Sequence, residues 1–211
     1  MQYRCEAKSV EGFIQQIAVS YVANGYWFYV AGAIPHGKEP EMVDRKIVAH
    51  YGIDVSKWVR ARRKQLGHAN LQYIRFERFF LILASPGKHR FYADEANVVR
   101  DARRIPIRFA GYSISFRGGH VQVRIDPIEY RTLKAYFLDL ATRRTSESLE
   151  LEFQRVPFEP YAPVRRQLLG ILRAVNKARK VAGRPPLAKD CLRLRRTIFR
   201  PFEPWRERKA A

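Results

Sequence analysis

A chain of 211 residues with 40 Lys and Arg against 20 Asp and Glu carries a formal charge of +20, and at 46% hydrophobic and 13% aromatic it has the apolar side chains for a substantial core. This excludes a disordered basic tail, and a cationic surplus so costly in self-repulsion points to a polyanionic partner, nucleic acid above all. The sequence lacks a run of about 18 apolar residues and a signal peptide, which sets a membrane partner aside, and Cys5 and Cys191 have no ligand-like spacing, which excludes a zinc finger and suits a reducing cytoplasm.

Residues 13–22 are apolar and β-branched, and Ala23-Asn24-Gly25 joins them to the aromatic run 26–34, a pattern that predicts a hairpin about a tight turn. Helices are expected at 41–51, closed by Gly52, and from Asp54 or Ser56 to Gly67. A second hairpin is predicted over 71–84, its continuous apolar run suggesting a strand covered on both faces. Residues 93–104 read as a short helix. A third hairpin is expected over 107–125, turning at Arg117-Gly118-Gly119.

Asp126-Pro127 is a helix start, the Asp supplying a cap oxygen and the Pro occupying the first helical position, and the helix is expected to reach Arg143. Residues 149–156 alternate and predict a strand. A long helix over 163–182 ends at Gly183. The expected fold is α+β, a largely antiparallel sheet built from the hairpins at about 13–34, 71–84 and 107–125 with helices packed mainly on one face. The domains expected are a core over 1–156, in which a strand-strand-helix unit is used twice, a basic helix over 157–183 and an extended Arg-rich arm over 184–211.

The positive charge falls into three clusters. In the long helix Arg166, Arg173, Lys177 and Lys180 share one face, opposite Val164, Leu168, Ile171, Val175 and Ala178, and no acid interrupts it. A one-sided helix of this kind is suited to a phosphate backbone. The second cluster is Lys57, Arg60, Arg63 and Lys64. The third is the C-terminal arm, with Arg193, Arg195 and Arg196, where prolines favour extended backbone that tracks a groove or strand. Tyr26, Trp27, Phe28, Tyr29, Tyr73 and Arg75 are candidate stacking or contact residues if their sheet face is open, and core residues if it is covered.

His120-Val121-Gln122 places two donor side chains on one face of a strand, with Arg124 next on that face as a phosphate contact. The triplet resembles the metal motif of the HUH endonucleases, which hold a cation through His-hydrophobic-His or His-hydrophobic-Gln. That resemblance implies a nuclease or strand transferase using Mg or Mn at His120 and Gln122, with Tyr130 or Tyr136 attacking the DNA phosphate. One turn beyond these tyrosines stand Lys134 and Leu140, so neither brings a third ligand. Walker, GxGxxG and HExxH patterns are absent, and the acids form no paired cluster. The leading expectation is therefore a cofactor-free nucleic-acid-binding protein, DNA slightly ahead of RNA. The alternatives are the metal-dependent nuclease and a basic subunit of a ribonucleoprotein or effector complex.

Overall fold

The computed structural model describes residues 3–204. In chain order these form α1 (Val10–Gln15), a π-helical turn (Gln16–Tyr21) and a 3₁₀ turn (Val22–Asn24), then β1 (Phe28–Ala33), α2 (Pro40–His50), α3 (Lys57–Gln65), β2 (Leu71–Phe76) and β3 (Phe79–Ala84). There follow α4 (Phe91–Asp94), β4 (Arg100–Asp101), β5 (Ile107–Phe109), β6 (Tyr112–Arg117), β7 (His120–Ile125), α5 (Pro127–Arg143), α6 (Ser146–Gln154), α7 (Ala162–Val181) and a 3₁₀ turn (Lys189–Cys191). The fold is α+β, with one sheet in the order β2-β3-β1-β4 and another in the order β5-β6-β7. Two compact units divide the chain. The first holds the described residues up to Ile107, Ile114–Val121 and those from Ile198, and the second holds Arg108–Ser113 and Gln122–Thr197.

In the first unit β3 pairs antiparallel with both β1 and β2, placing Ile82 opposite Val30 and Tyr73. One sheet face carries Val30, Leu71, Tyr73, Ile82 and Ala84, packed with Tyr51, Ile53 and Phe91. The other carries Ile74, Leu81 and Leu83, with Phe13 of α1 against the rings of Phe76 and Phe79. The 71–84 hairpin is thus present and covered on both faces. Gly32 is required by its neighbour on β3: a Cβ there would stand 2.5 Å from the Phe80 ring that lies over it.

The hairpin expected at 13–34 has only its second strand. Ser9 accepts a hydrogen bond from the Gly12 N–H at 3.0 Å and starts a helical segment whose buried residues, Phe13, Ile14, Ile17, Ala18 and Tyr21, recur at helical spacing. Gly25, at φ +91°, ends it, its N–H donating to Val22 O while Tyr26 N–H donates to Tyr21 O. Asn24-Gly25 is therefore a helix stop, and the unit there is helix-strand-helix without the strand pair of the expected repeat. Because this segment is helical it covers the second sheet face, so helices lie on both faces of the sheet.

Two other elements differ from expectation. Residues 93–104 hold the end of α4 and then β4, which pairs with β1, because Asp101 accepts from the Arg103 N–H and guanidinium and turns the chain. Residues 149–156 lie mostly in α6, where Thr145 accepts from Ser148 N–H and Leu149 and Phe153, one turn apart, are the buried pair. Leu151 between them is exposed, so the alternation is a helix face read at the wrong period.

In the second unit α5 starts as expected, with the Asp126 carboxylate accepting from Ile128 N–H at 3.0 Å. Phe137 of α5 stacks on Phe153 of α6 at 3.9 Å between centroids, and Tyr112 meets Phe158 edge-on.

Candidate nucleic-acid interface

Helix α7 separates its two faces cleanly. Val164, Leu168, Ile171 and Val175 are buried, and Gln167 fixes the helix by accepting from Ile125 N–H at 2.8 Å and donating to Ile125 O at 3.0 Å. Arg166, Arg173, Lys177 and Lys180 are exposed, and none of them forms an ion pair among the described residues. At about 100° and 1.5 Å per residue they fall within an arc of about 60° and span about 21 Å. Arg179 is different. It is 1% exposed and donates to Ala141 O, Arg144 O, Pro185 O and the Ser146 hydroxyl, so this cation satisfies the carbonyl end of α5 and the loop after α7.

Helix α3 is attached by the opposite side from the one its composition suggests. Arg60 and Arg63, expected to contact phosphate, are half-buried: Arg60 donates to Val55 O at 2.8 Å and Arg63 to Gly52 O at 3.1 Å, while Asn70 donates to Arg60 O. Lys57 and Lys64 are exposed. Trp58 and Leu66, at 82% and 63% exposure, project outward with Arg62. The apolar residues of α3 are its solvent face because the Gly52 and Val55 carbonyls hold its arginine side against the preceding loop. Nothing in residue type alone signals that inversion.

The arm is partly docked. Leu187, Cys191 and Leu192 are buried, and the Leu187 backbone exchanges two hydrogen bonds with the Asn176 side chain of α7. Arg193 lies 2.9 Å from buried Glu159, which also accepts from Thr197 N–H, so its charge is neutralised at a structural joint. Arg196 stacks on Tyr161 at 4.9 Å from the ring centroid, and Arg195 is exposed. Arg206, Arg208 and Lys209 lie outside the described residues.

Of the expected sheet-face contacts, Tyr29, Tyr73 and Arg75 are buried, and Tyr26, Trp27 and Phe28 are half-buried. Tyr29 is buried, its hydroxyl donating to Ile105 O and Pro106 O, and Trp27 packs on Phe116 beneath Arg103. Tyr73 and Arg75 belong to an internal polar cluster: Arg75 Nε is 3.0 Å from both Asp44 oxygens, and the Tyr73 hydroxyl donates to Asp44 at 2.6 Å. Cys5 Sγ donates to the same carboxylate at 3.5 Å. Burial, then the Asp44 charge, pushes the Cys5 thiol up to about 12. Asp44 forms no paired acidic motif in sequence and becomes the centre of this cluster only through the fold.

The candidate metal ligands His120 and Gln122 both lie on β7. His120 is exposed, and the Gln122 amide oxygen accepts from Arg124 at 2.7 Å, so the atom offered to a cation is held by one already. No group of three or more His, Cys, Asp or Glu able to hold a metal ion occurs among the described residues. The Tyr136 hydroxyl donates to Glu152 at 3.0 Å, and that carboxylate holds the phenol above its ordinary pKa, the wrong direction for a nucleophile. Tyr130 is half-buried, its hydroxyl 3.3 Å from where a Cβ on Gly170 would stand, so it packs α5 against α7.

No protein-family model matches the chain, and no curated protein matches it in sequence. Among the described residues no helix is long and apolar enough to cross a membrane.

Proposed function

We propose that the chain binds nucleic acid, chiefly through phosphate contacts along the exposed face of α7. The observation that carries this reading is a row of four unpaired cations, Arg166, Arg173, Lys177 and Lys180, on a helix without a single acid. A merely solvated helix face usually mixes signs, and here only a polyanion neutralises the row. Trp58 on α3, flanked by Lys57 and Arg62, adds a ring free to stack on an unpaired base. Exposed Lys64 and Arg195 supply further phosphate contacts.

Fluorescence anisotropy with a labelled oligonucleotide across about 50–200 mM salt tests this, each neutralised phosphate adding about 0.7–0.9 to the slope of log affinity against log salt. Replacing the four α7 cations with Gln is expected to lower that slope by about 3. Trp58→Ala is expected to weaken single-strand binding by about 1–3 kcal/mol without changing the slope. A flat salt response in the unaltered protein, or a slope the Gln variant retains, overturns the reading.

A further inference from the structure

Within the first unit, the turn after α3 and the turn after β3 are locked together. Ala69 N–H donates to Lys88 O at 3.1 Å, Lys88 N–H to Gly67 O at 2.9 Å, and His68 N–H back to Arg63 O at 2.9 Å. The approach is so close that a Cβ on Gly87, at φ +133°, would stand 2.6 Å from Ala69 N and from the His68 carbonyl carbon. The two turns and the start of α4 line an open depression of about 480 Å³ formed by Arg63, His68, Ala69, Lys88, His89 and Arg90. That volume lies in the range of about 300–1,000 Å³ usual for small-ligand sites.

The lining has three permanent cations and no carboxylate. Arg63 is aimed by its bond to Gly52 O, which leaves the rest of its guanidinium fork for a ligand. Arg90 is shared with Asp94 at 3.5 Å, and Asp94 also meets His50 at 3.3 Å, whereas Arg63 and Lys88 have no ion pair among the described residues. His89 forms a wall, its Nδ1 accepting from Phe91 N–H at 3.1 Å. Burial, with the Arg63 charge, lowers its pKa. At the end of α3 the Arg62, Arg63 and Lys64 carbonyls accept from the Leu66, His68 and Gly67 N–H groups.

Two uncompensated cations, one a fixed guanidinium fork, match a doubly charged tetrahedral oxyanion better than a carboxylate or an internal phosphodiester, each of which brings a single charge. We propose that this pocket binds a phosphomonoester, supplied either as a strand terminus or as a free mononucleotide. The inference is independent of the α7 face, since a mononucleotide does not need that face.

The test uses the full chain and four probes: one oligonucleotide with a 5′-phosphate, the same strand with a 3′-phosphate, the same strand with hydroxyl ends, and adenosine 5′-monophosphate alone. A terminal phosphate is expected to tighten strand binding about tenfold when the strand is the source, and the mononucleotide is expected to bind by calorimetry when it is the source. Either result supports the pocket if Lys88→Gln, at an exposed position, reduces the effect at least threefold with an unchanged melting temperature. Arg63→Gln should remove the effect altogether. The α7 Gln variant should weaken phosphorylated and hydroxyl strands by the same factor and leave their ratio intact. Equal affinity for all three strands together with no heat from the mononucleotide overturns the proposal, as does a phosphate preference that survives both Lys88→Gln and Arg63→Gln.

Discussion

Asp44 and Arg75 are 6% and 4% exposed, and their pairing makes both tolerable in that interior, with the more exposed Glu6 carboxylate 3.7 Å from Arg75 as a second partner. The carboxylate receives Arg75 Nε on both oxygens, the Tyr73 hydroxyl and the Cys5 thiol, so its acceptor sites are filled from two segments distant in sequence. Asp44→Asn keeps the shape and removes the charge, leaving the buried guanidinium only the more distant and more exposed Glu6 carboxylate as a charged partner. The expected loss is about 3–5 kcal/mol, read as a lower midpoint in urea unfolding. A loss under about 1 kcal/mol would show that the pair is open to water. Sequence does not reveal this cluster, because an acid near Glu39 and Glu41 on a charged helix looks like a surface residue until α2 is laid on β2.

At the scale of elements, legibility follows how cleanly the apolar residues segregate. In 163–182 charged and apolar residues occupy opposite arcs, so the helix and both its faces are readable directly. In 13–22 the apolar residues do recur at helical spacing about Gln15, Gln16 and Ser20, but their β-branched content and Asn24-Gly25, which serves a helix stop as well as it would a hairpin turn, favour the strand reading. In α3 the helix is readable but its orientation is not, since backbone carbonyls at Gly52 and Val55 select the arginine side. Even α7 conceals one residue. Arg179 reads as one more basic contact, yet its four acceptors make it the fastening of that helix. Arg179→Gln is accordingly expected to cost more than about 3 kcal/mol, because hydrogen bonds from a charged group are worth about 1.5–3 kcal/mol each. Arg173→Gln, six positions earlier on the open face, should stay within about 0.5 kcal/mol. Thermal unfolding of the two variants side by side checks the contrast, and equal losses would contradict it.

Over the whole molecule the charge of +20 acts on stability and on binding with opposite signs. Cations held on one helix face repel one another and raise the free energy of the folded state, while a polyanion that binds the folded state alone lowers it. Substituting Gln for Arg166, Arg173, Lys177 and Lys180 removes four cations and takes the formal charge from +20 to +16. Gln is about as good a helix former as the residues replaced, so the helix itself is little affected. At low salt the variant should melt above the unaltered protein. Saturating single-stranded nucleic acid at about 100 times its dissociation constant stabilises by about 2.7 kcal/mol, a rise of roughly 5–10 °C for a chain of this size. That rise should be full in the unaltered protein and much reduced in the variant, so that the order of the two melting temperatures reverses when nucleic acid is added. High salt should erase both differences, since it screens the repulsion and weakens the phosphate contacts together. A variant that melts lower at low salt, or that gains as much from nucleic acid as the unaltered chain, would show that the α7 cations are held by structure and not by a polyanion.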